Sequence, residues 1–278
     1  MATYRVRSWD QLGDSVILTG AVRNVRAAHP ECLFRYDGWD KYKPIYANNE
    51  DFAEFHGGEY LHSIGYGDGH AERHGLFGNH VEAQTQRLCE FMGYDETVPI
   101  VTDVPVLYLT EEEKAWGEQF AGKWIVNANC QKESISKAYP YWQDVIDGMR
   151  DLGLECVQIG GNLPQDISTE LKGVEDWRGR TSIRELISMA YNCAGIVSPS
   201  SGIVHIGAAW RKPTVCLIGA RENKLTLYDH CKYITTECED QYCIARTAKD
   251  CKHWIGRCPC MDFSPKLVLI AIKGYIGL

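Results

Sequence analysis

No stretch of this sequence comes near the roughly 20 consecutive apolar residues that a membrane-spanning helix needs. The opening MATYRVRSWDQLGD also lacks the apolar core of a secretory signal, so a cytoplasmic protein without a membrane span is expected. Excess positive charge is missing as well. The formal net charge of the 278 residues is −8, and the chain as a whole does not attract nucleic acid. There is no internal repeat and no low-complexity tract. No Asp-x-Asp pair stands at a predicted strand end to hold Mg²⁺, so no catalytic metal is implied. With 45% hydrophobic and 24% charged residues, the chain has the balance of an ordinary globular protein able to bury a full core.

Cysteine, by contrast, is abundant: twelve in all. Seven stand singly and are expected to act as small buried apolar residues. The other five, Cys238, Cys243, Cys251, Cys258 and Cys260, share one segment with the spacing C-x4-C-x7-C-x6-C-x-C. That is looser than a zinc ribbon but compact enough for one four-thiolate site. Glu239, Asp240, Lys249, Lys252 and Trp254 leave this segment little with which to build a core, and a metal would supply the missing stability. Zinc and iron both accept four thiolates. A closed site of that kind is structural; reduced thiols and disulfides are the alternatives. Five of the nine histidines (His56, His62, His70, His74, His80) form a second grouping. His70 and His74 have a helical metal spacing, but Gly67, Gly69 and Gly75 argue against a helix there, and a loop facing an acceptor is expected.

Strands and helices are expected to alternate. A strand from Thr3 to Trp9 leads through a turn to a helix from Ser15 to His29, with Asp14 as its N-cap. A strand at Cys32–Tyr36 follows, then loop from Asp37 to Gly78 around a strand at Tyr60–Ile64, then a helix from His80 to Met92. After a passage over Asp95–Leu109 and the acidic run from Thr110, strands are expected at Lys123–Ala128, Glu155–Ile159, Gly195–Ser198 and Thr214–Ile218. Helices at Tyr141–Leu152, Ser182–Asn192, Ile203–Trp210 and Pro265–Tyr275 separate or follow them. That alternation specifies an α/β protein with a parallel sheet.

Three segments carry chemistry. Leu12-Gly13-Asp14 joins the first strand to the first helix, at the sheet edge where ligands of open parallel sheets bind. A carboxylate there can take a proton from an attacking hydroxyl, although capping is the commoner role of such an aspartate. Ser200-Ser201-Gly202-Ile203-Val204-His205 is a second strand-to-helix turn, whose hydroxyls and backbone N–H groups suit a diphosphate. Lys137, in the polar loop before Tyr139-Pro140, can offset phosphate charge on a leaving nucleotide, or can be a solvated surface lysine.

Together these segments resemble the heptosyltransferase family, glycosyltransferase family 9. LGDSVILTGAVRNVRAAHP is similar to the family's Gly-Asp start. WIVNANCQKESISKAYPYWQDVIDGMRDLGLECVQIGG resembles the strand, lysine-aromatic-proline loop, helix and Gly-Gly strand of its donor lobe. WRGRTSIRELISMAYNCAGIVSPSSGIVHIGAAWRKPTVCLIGA is similar to its nucleotide-sugar segment, with Gly179, Thr181, Gly202, His205, Pro213 and Gly219 in register. The resemblance implies a GT-B fold: two Rossmann-like lobes with a cleft between them, the first (1–109) abbreviated and the second (110–278) carrying the cysteine-rich segment 238–260. It implies Asp14 as the base and Lys137, Ser201, Gly202 and His205 around the diphosphate of a nucleotide diphosphate-sugar. Gly13 would line that donor site, Thr181 its nucleotide side, and Asp166 would be the nearest carboxylate for the ribose.

Some members carry a cysteine-bound iron in this region. The Cys260-Met261 step resembles theirs, which favours Cys238, Cys243, Cys251 and Cys260 as ligands with Cys258 as spare. The sequence departs from the family at Ser200, where an aspartate is usual, and at Asn129-Cys130, in place of a Pro-Gly-type loop. The expected activity is an inverting sugar transfer to a saccharide, a protein or a modified nucleobase, by a possible homo-oligomer. A non-catalytic sugar-nucleotide-binding protein is the rival.

Overall fold

A computed structural model of the chain describes residues 2–8, 11–54, 56–61, 79–131, 134, 137–161, 166–219, 228–236 and 251–278. It holds two parallel sheets. The first has three strands, β1 (Thr3–Val6), β2 (Leu33–Tyr36) and β3 (Glu59–Tyr60), in the order β2-β1-β3. Helix α1 (Leu12–Ala28) makes the crossover from β1 to β2, with Val16, Leu18, Val22 and Val25 fully buried. Helix α2 (His80–Phe91) lies against α1, where the Asn24 amide donates to Thr85 Oγ1 at 3.0 Å. On the same side α1 meets the irregular segment 101–109 so closely that a Cβ on Gly20 would stand 2.7 Å from the Val104 carbonyl oxygen and 2.8 Å from Val81 Cγ1 of α2.

The second sheet has six parallel strands: β4 (Trp124–Asn127), β6 (Cys156–Ile159), β8 (Glu175–Asp176), β9 (Gly195–Pro199), β10 (Thr214–Leu217) and β11 (Lys232–Ile234). Their order is β11-β10-β9-β4-β6-β8. A small antiparallel pair, β5 (Asn129–Gln131) and β7 (Asp166–Ser168), stands beside it. The accompanying helices are α3 (Glu111–Gly117), α4 (Trp142–Asp151), α5 (Ile183–Asn192), α6 (Gly202–Ala208) and α7 (Pro265–Ile276). Trp124, Trp142 and Met149 pack there with Met261 and Val268 as one apolar core.

Both sheets run outward from an interior strand in two directions. The chain proceeds β4, β6, β8 to one side and β9, β10, β11 to the other, so the direction reverses between β4 and β9. In the first sheet it reverses beside β1. Open α/β sheets take ligands beyond the carboxyl ends of the strands at such points.

Helix α5 ties the two sheets together. The Arg184 guanidinium pairs with Glu113 at 2.6 Å and donates to the carbonyls of Pro44 and Tyr108 at 3.2 and 2.7 Å. Those bonds hold the Glu113 carboxyl below its usual range, with the Arg184 hydrogen bond as the main cause.

Several local expectations change. Helix α1 begins at Leu12, Gln11 is its N-cap without a side-chain bond, and Asp14 sits inside the first turn. Capping therefore does not explain Asp14. Helix α3 was not expected, although Thr110 and Glu113 form a reciprocal capping box that starts it. A 3₁₀ helix, Asp40–Tyr46, lies within the stretch expected to be loop. Strands β5, β7, β8 and β11 are two or three residues long, too short to show a period. Residues 62–78, with His62, His70 and His74, lie outside the described residues, as do Cys238 and Cys243.

Candidate functional site

The first turn of α1 is held from three directions. Ser8, just beyond β1, shares a hydrogen bond with Ser15 at 2.8 Å. The buried Tyr46 hydroxyl donates to the Ser15 carbonyl at 2.8 Å, and the Gln84 amide donates to the Asp14 carbonyl at 3.4 Å. Burial pushes the Tyr46 phenol well above its ordinary value, and the charges of Tyr36 and Asp14 add to that. Asp14 itself is partly exposed on this turn.

The turn after β9 stands against it. A Cβ on Gly13 would lie 2.8 Å from His205 Cδ2, and one on Gly202 would lie 2.7 Å from the Leu12 side chain. Two turns almost 190 residues apart in sequence thus meet through their glycines. Only a residue without a Cβ permits that approach from both sides.

At the reversal between β4 and β9, Asn127 ends β4 and donates to Ser198 Oγ at 3.2 Å and Ser201 Oγ at 3.0 Å. The two hydroxyls are 2.8 Å apart. Lys137 reaches the same turn, its ammonium donating to the Ser200 carbonyl at 2.9 Å. Lys137 is therefore a fixed cation of the cleft, and the solvated-surface reading does not hold. His205 is buried one turn into α6, with Nδ1 3.0 Å from the hydroxyl of the buried Tyr228.

His80, the first residue of α2, enters from the first sheet's side. Its ring stands edge-on to His205 at 4.9 Å and 5.9 Å from Tyr228. Burial, helped by the nearby Lys137 charge, pulls its pKa down to about 3. The unfolded chain binds a proton near pH 6.5 where the folded chain does not. Stability should therefore be lost as pH falls from about 6.5 toward 3, at up to about 1.4 kcal/mol per pH unit. Thermal unfolding of His80→Phe should show a shallower slope across that window than the wild type. An unchanged slope would place the acid sensitivity elsewhere.

Of the residues singled out in the sequence, Gly13, Asp14, Lys137, Ser200, Ser201, Gly202 and His205 come together. Thr181 does not. It precedes Ser182, the N-cap of α5, at the outer edge of the sheet, where Gly179 bonds to the Gly160 carbonyl. Asp166 lies on β7, paired with Gln131, and its side chain is outside the described residues. Four members of the cluster were not anticipated: Asn127, Tyr46, Tyr228 and the role of His80. Asn127 carries a readable signal, a polar residue at the carboxyl end of an apolar strand. Tyr228 carries none.

Cys251, Cys258 and Cys260 are buried in the second core with Trp142 and Phe263, so this segment does contribute to a core of its own accord. The Cys258 and Cys260 sulfurs are 3.2 Å apart. The Cys260 hydrogen bond, then burial and Cys251, push the Cys258 thiol far up. The ten described cysteines are all buried and none is in a disulfide. Among the described residues no group of three or more ligating side chains forms a metal site, and no helix is long and apolar enough to cross a membrane.

No curated protein sequence matches the chain. Solved structures do match it in fold. The E. coli ADP-heptose LPS heptosyltransferase II superposes with a TM-score of 0.62 at 15% identity, covering 99% of this chain and 98% of that one. A family 9 glycosyltransferase from Veillonella parvula gives 0.68 at 13%, over 99% and 97%. The iron-containing dodecameric glycosyltransferase TibC from enterotoxigenic E. coli gives 0.67 at 13%, over 99% and 76%. The architecture is therefore that of the GT-B heptosyltransferases. The family model for glycosyltransferase family 9 (heptosyltransferase) matches residues 70–253, well over half of the sequence. The chain belongs to glycosyltransferase family 9.

Proposed function

We propose that the chain transfers a sugar from a nucleotide diphosphate-sugar to an acceptor hydroxyl at the junction of the two turns. One observation carries the reading: Lys137 rests on the Ser200 carbonyl at the strand-order reversal, directly opposite the turn that bears Asp14. Asp14 takes the proton of the acceptor hydroxyl as its oxygen attacks the anomeric carbon. The bond from that carbon to the diphosphate oxygen breaks on the opposite face, and the configuration inverts. Lys137, with Ser200, Ser201 and Gly202, offsets the charge that gathers on the departing diphosphate. Asn127 fixes the serine hydroxyls, and His205, backed by Tyr228, fills the wall behind Gly13. Thr181 and Asp166 remain candidates for the nucleotide's outer side.

We divide the chain at 109/110 into an acceptor-side lobe and a nucleotide-sugar lobe. Helix α3 supports that boundary, because the Asn192 amide of α5 donates to its Lys114 carbonyl at 3.1 Å. Ten buried cysteines without a disulfide among them match a reducing, cytoplasmic compartment. The ADP-heptose and the dodecamer named for the relatives make an adenine nucleotide the first donor to test and a homo-oligomer a reasonable state to look for. A thermal-shift screen over nucleoside diphosphates tests the reading, since a ligand bound only by the folded state raises its melting temperature. One nucleotide should stand out. A flat response to all of them would reject a sugar-nucleotide enzyme.

We also propose a structural iron or zinc on the cysteine segment. Thiolates of one tetrahedral site with bonds of about 2.3 Å lie about 3.8 Å apart, so the 3.2 Å Cys258–Cys260 pair needs only a slight opening. Cys251 with either Cys238 or Cys243 would complete the set, so that Cys258, the spare of the sequence reading, becomes a ligand and one of Cys238 and Cys243 takes its place as spare. A bound cation would stabilise the thiolates that crowding now disfavours. Elemental analysis should find about one metal per chain, lost together with thermal stability in Cys258→Ser/Cys260→Ser. Metal-free protein of full stability would reject the site.

A further inference from the structure

The cysteine segment ends in a short 3₁₀ turn, Pro259–Met261, and the two residues after it grip the loop that carries Lys137. Tyr139 is buried there. Its hydroxyl donates to the Phe263 carbonyl at 3.1 Å, and its ring stacks on that of Phe263 with centroids 4.8 Å apart. The Tyr141 hydroxyl donates to Asp262 Oδ1 at 2.6 Å, while Asp262 Oδ2 pairs with Arg257 at 2.7 Å. Pro140 stands between the two tyrosines and fixes its own φ, so they form a stiff two-point mount.

Lys137 lies two residues before that mount, and its ammonium reaches the Ser200 carbonyl at 2.9 Å. A lysine side chain is long and flexible, so where its charge rests depends on where its backbone is held. Packing of Tyr139 in the second core keeps the loop near the sheet. The Tyr141–Asp262 pair adds something different. Both residues are only partly buried, so they contribute little apolar contact, but a short O–H···O⁻ bond is strong and directional. Its acceptor is also rigid. Arg257 holds the carboxylate, the Asp262 N–H donates to the Pro259 carbonyl at 3.0 Å, and Thr236 Oγ1 donates to the same carbonyl at 3.2 Å.

We propose that the cysteine segment serves the donor site: Asp262 and Phe263 are positioning residues that act through Tyr141 and Tyr139 to hold Lys137 where a diphosphate is bound. The inference rests on the transferase reading for its ligand. Titration of ADP into the full chain, as wild type, Tyr141→Phe, Lys137→Ala and the double variant, tests it. Tyr141→Phe removes one hydroxyl and should weaken ADP binding by about three- to tenfold. The double variant should bind within about twofold of Lys137→Ala alone, because residues that act through one another are not additive. Asp262→Asn keeps an oxygen for the Tyr141 hydroxyl and should stay closer to the wild type than Asp262→Ala. In the ligand-free protein, hydrogen exchange of the amides around Lys137 should be about threefold or more faster in Tyr141→Phe. Full ADP affinity in Tyr141→Phe, or losses that multiply in the double variant, would overturn the proposal and leave the donor reading intact. A wild type that binds no ADP would count against the donor reading for that nucleotide. The exchange measurement would then decide alone, with unchanged exchange in Tyr141→Phe removing the mount and faster exchange supporting it.

Discussion

Asp14→Asn is expected to slow transfer by about 10² to 10⁴-fold, the usual contribution of a positioned general base, while leaving nucleotide affinity nearly unchanged. The substitution keeps the size and the place of the side chain on the first turn of α1, whose backbone is held by Tyr46 and Gln84. It removes the group that accepts the proton. An N-cap aspartate would behave differently, because asparagine caps a helix about as well and the exchange would leave both rate and stability nearly unchanged. Here the N-cap is Gln11, which makes no side-chain cap bond among the described residues, so the melting temperature should stay close to that of the wild type. Steady-state rates with saturating donor, set beside thermal melts, separate the two. Full activity in Asp14→Asn would remove Asp14 from the chemistry.

Lys137→Ala should cost about 10² to 10³-fold in the rate of the chemical step, comparable to removing one preorganised donor from a developing anion. Donor affinity should fall too, because the ammonium meets diphosphate charge in the ground state as well as the transition state. Its bond to the Ser200 carbonyl fixes it before the donor arrives, so little reorganisation is needed during the reaction. Lys137→Arg should recover only part of the rate, since a planar guanidinium cannot occupy the same point as a compact ammonium. Initial rates over a range of donor concentrations would show a lower kcat and a higher KM. A change confined to KM would assign Lys137 to binding alone.

The main elements of the fold were legible because their signals are long. Helices α1, α4, α5 and α7 each carry ten or more residues with an apolar face, and β4, β6, β9 and β10 are apolar runs ended by polar or glycine turns. Pairs such as β5 and β7 are held by register with a partner, and nothing local in Asn129–Gln131 announces it. Helix α3 is signalled by Thr110-x-x-Glu113, yet its short acidic run suits a passage between lobes equally well.

The site divides along the same line. Asp14, Lys137 and the 200–205 turn stood out by residue type and by resemblance. Their meeting did not, because it depends on two sheets placing their reversal points face to face. His80 and Tyr228 are legible only in three dimensions, where burial and the His205 ring give them a place. The N-cap reading of Asp14 fails by three residues of helix start, a shift that propensity alone does not decide.

Calorimetric titration of the nucleoside diphosphate chosen by thermal shift, into the wild type, Lys137→Ala and Asp14→Asn, tests the central claim most directly. The account predicts a single site per chain, affinity reduced by tenfold or more in Lys137→Ala, and affinity within about twofold of the wild type in Asp14→Asn. Equal affinity in the wild type and Lys137→Ala would contradict it, because the diphosphate would then lie away from the turn between β9 and α6.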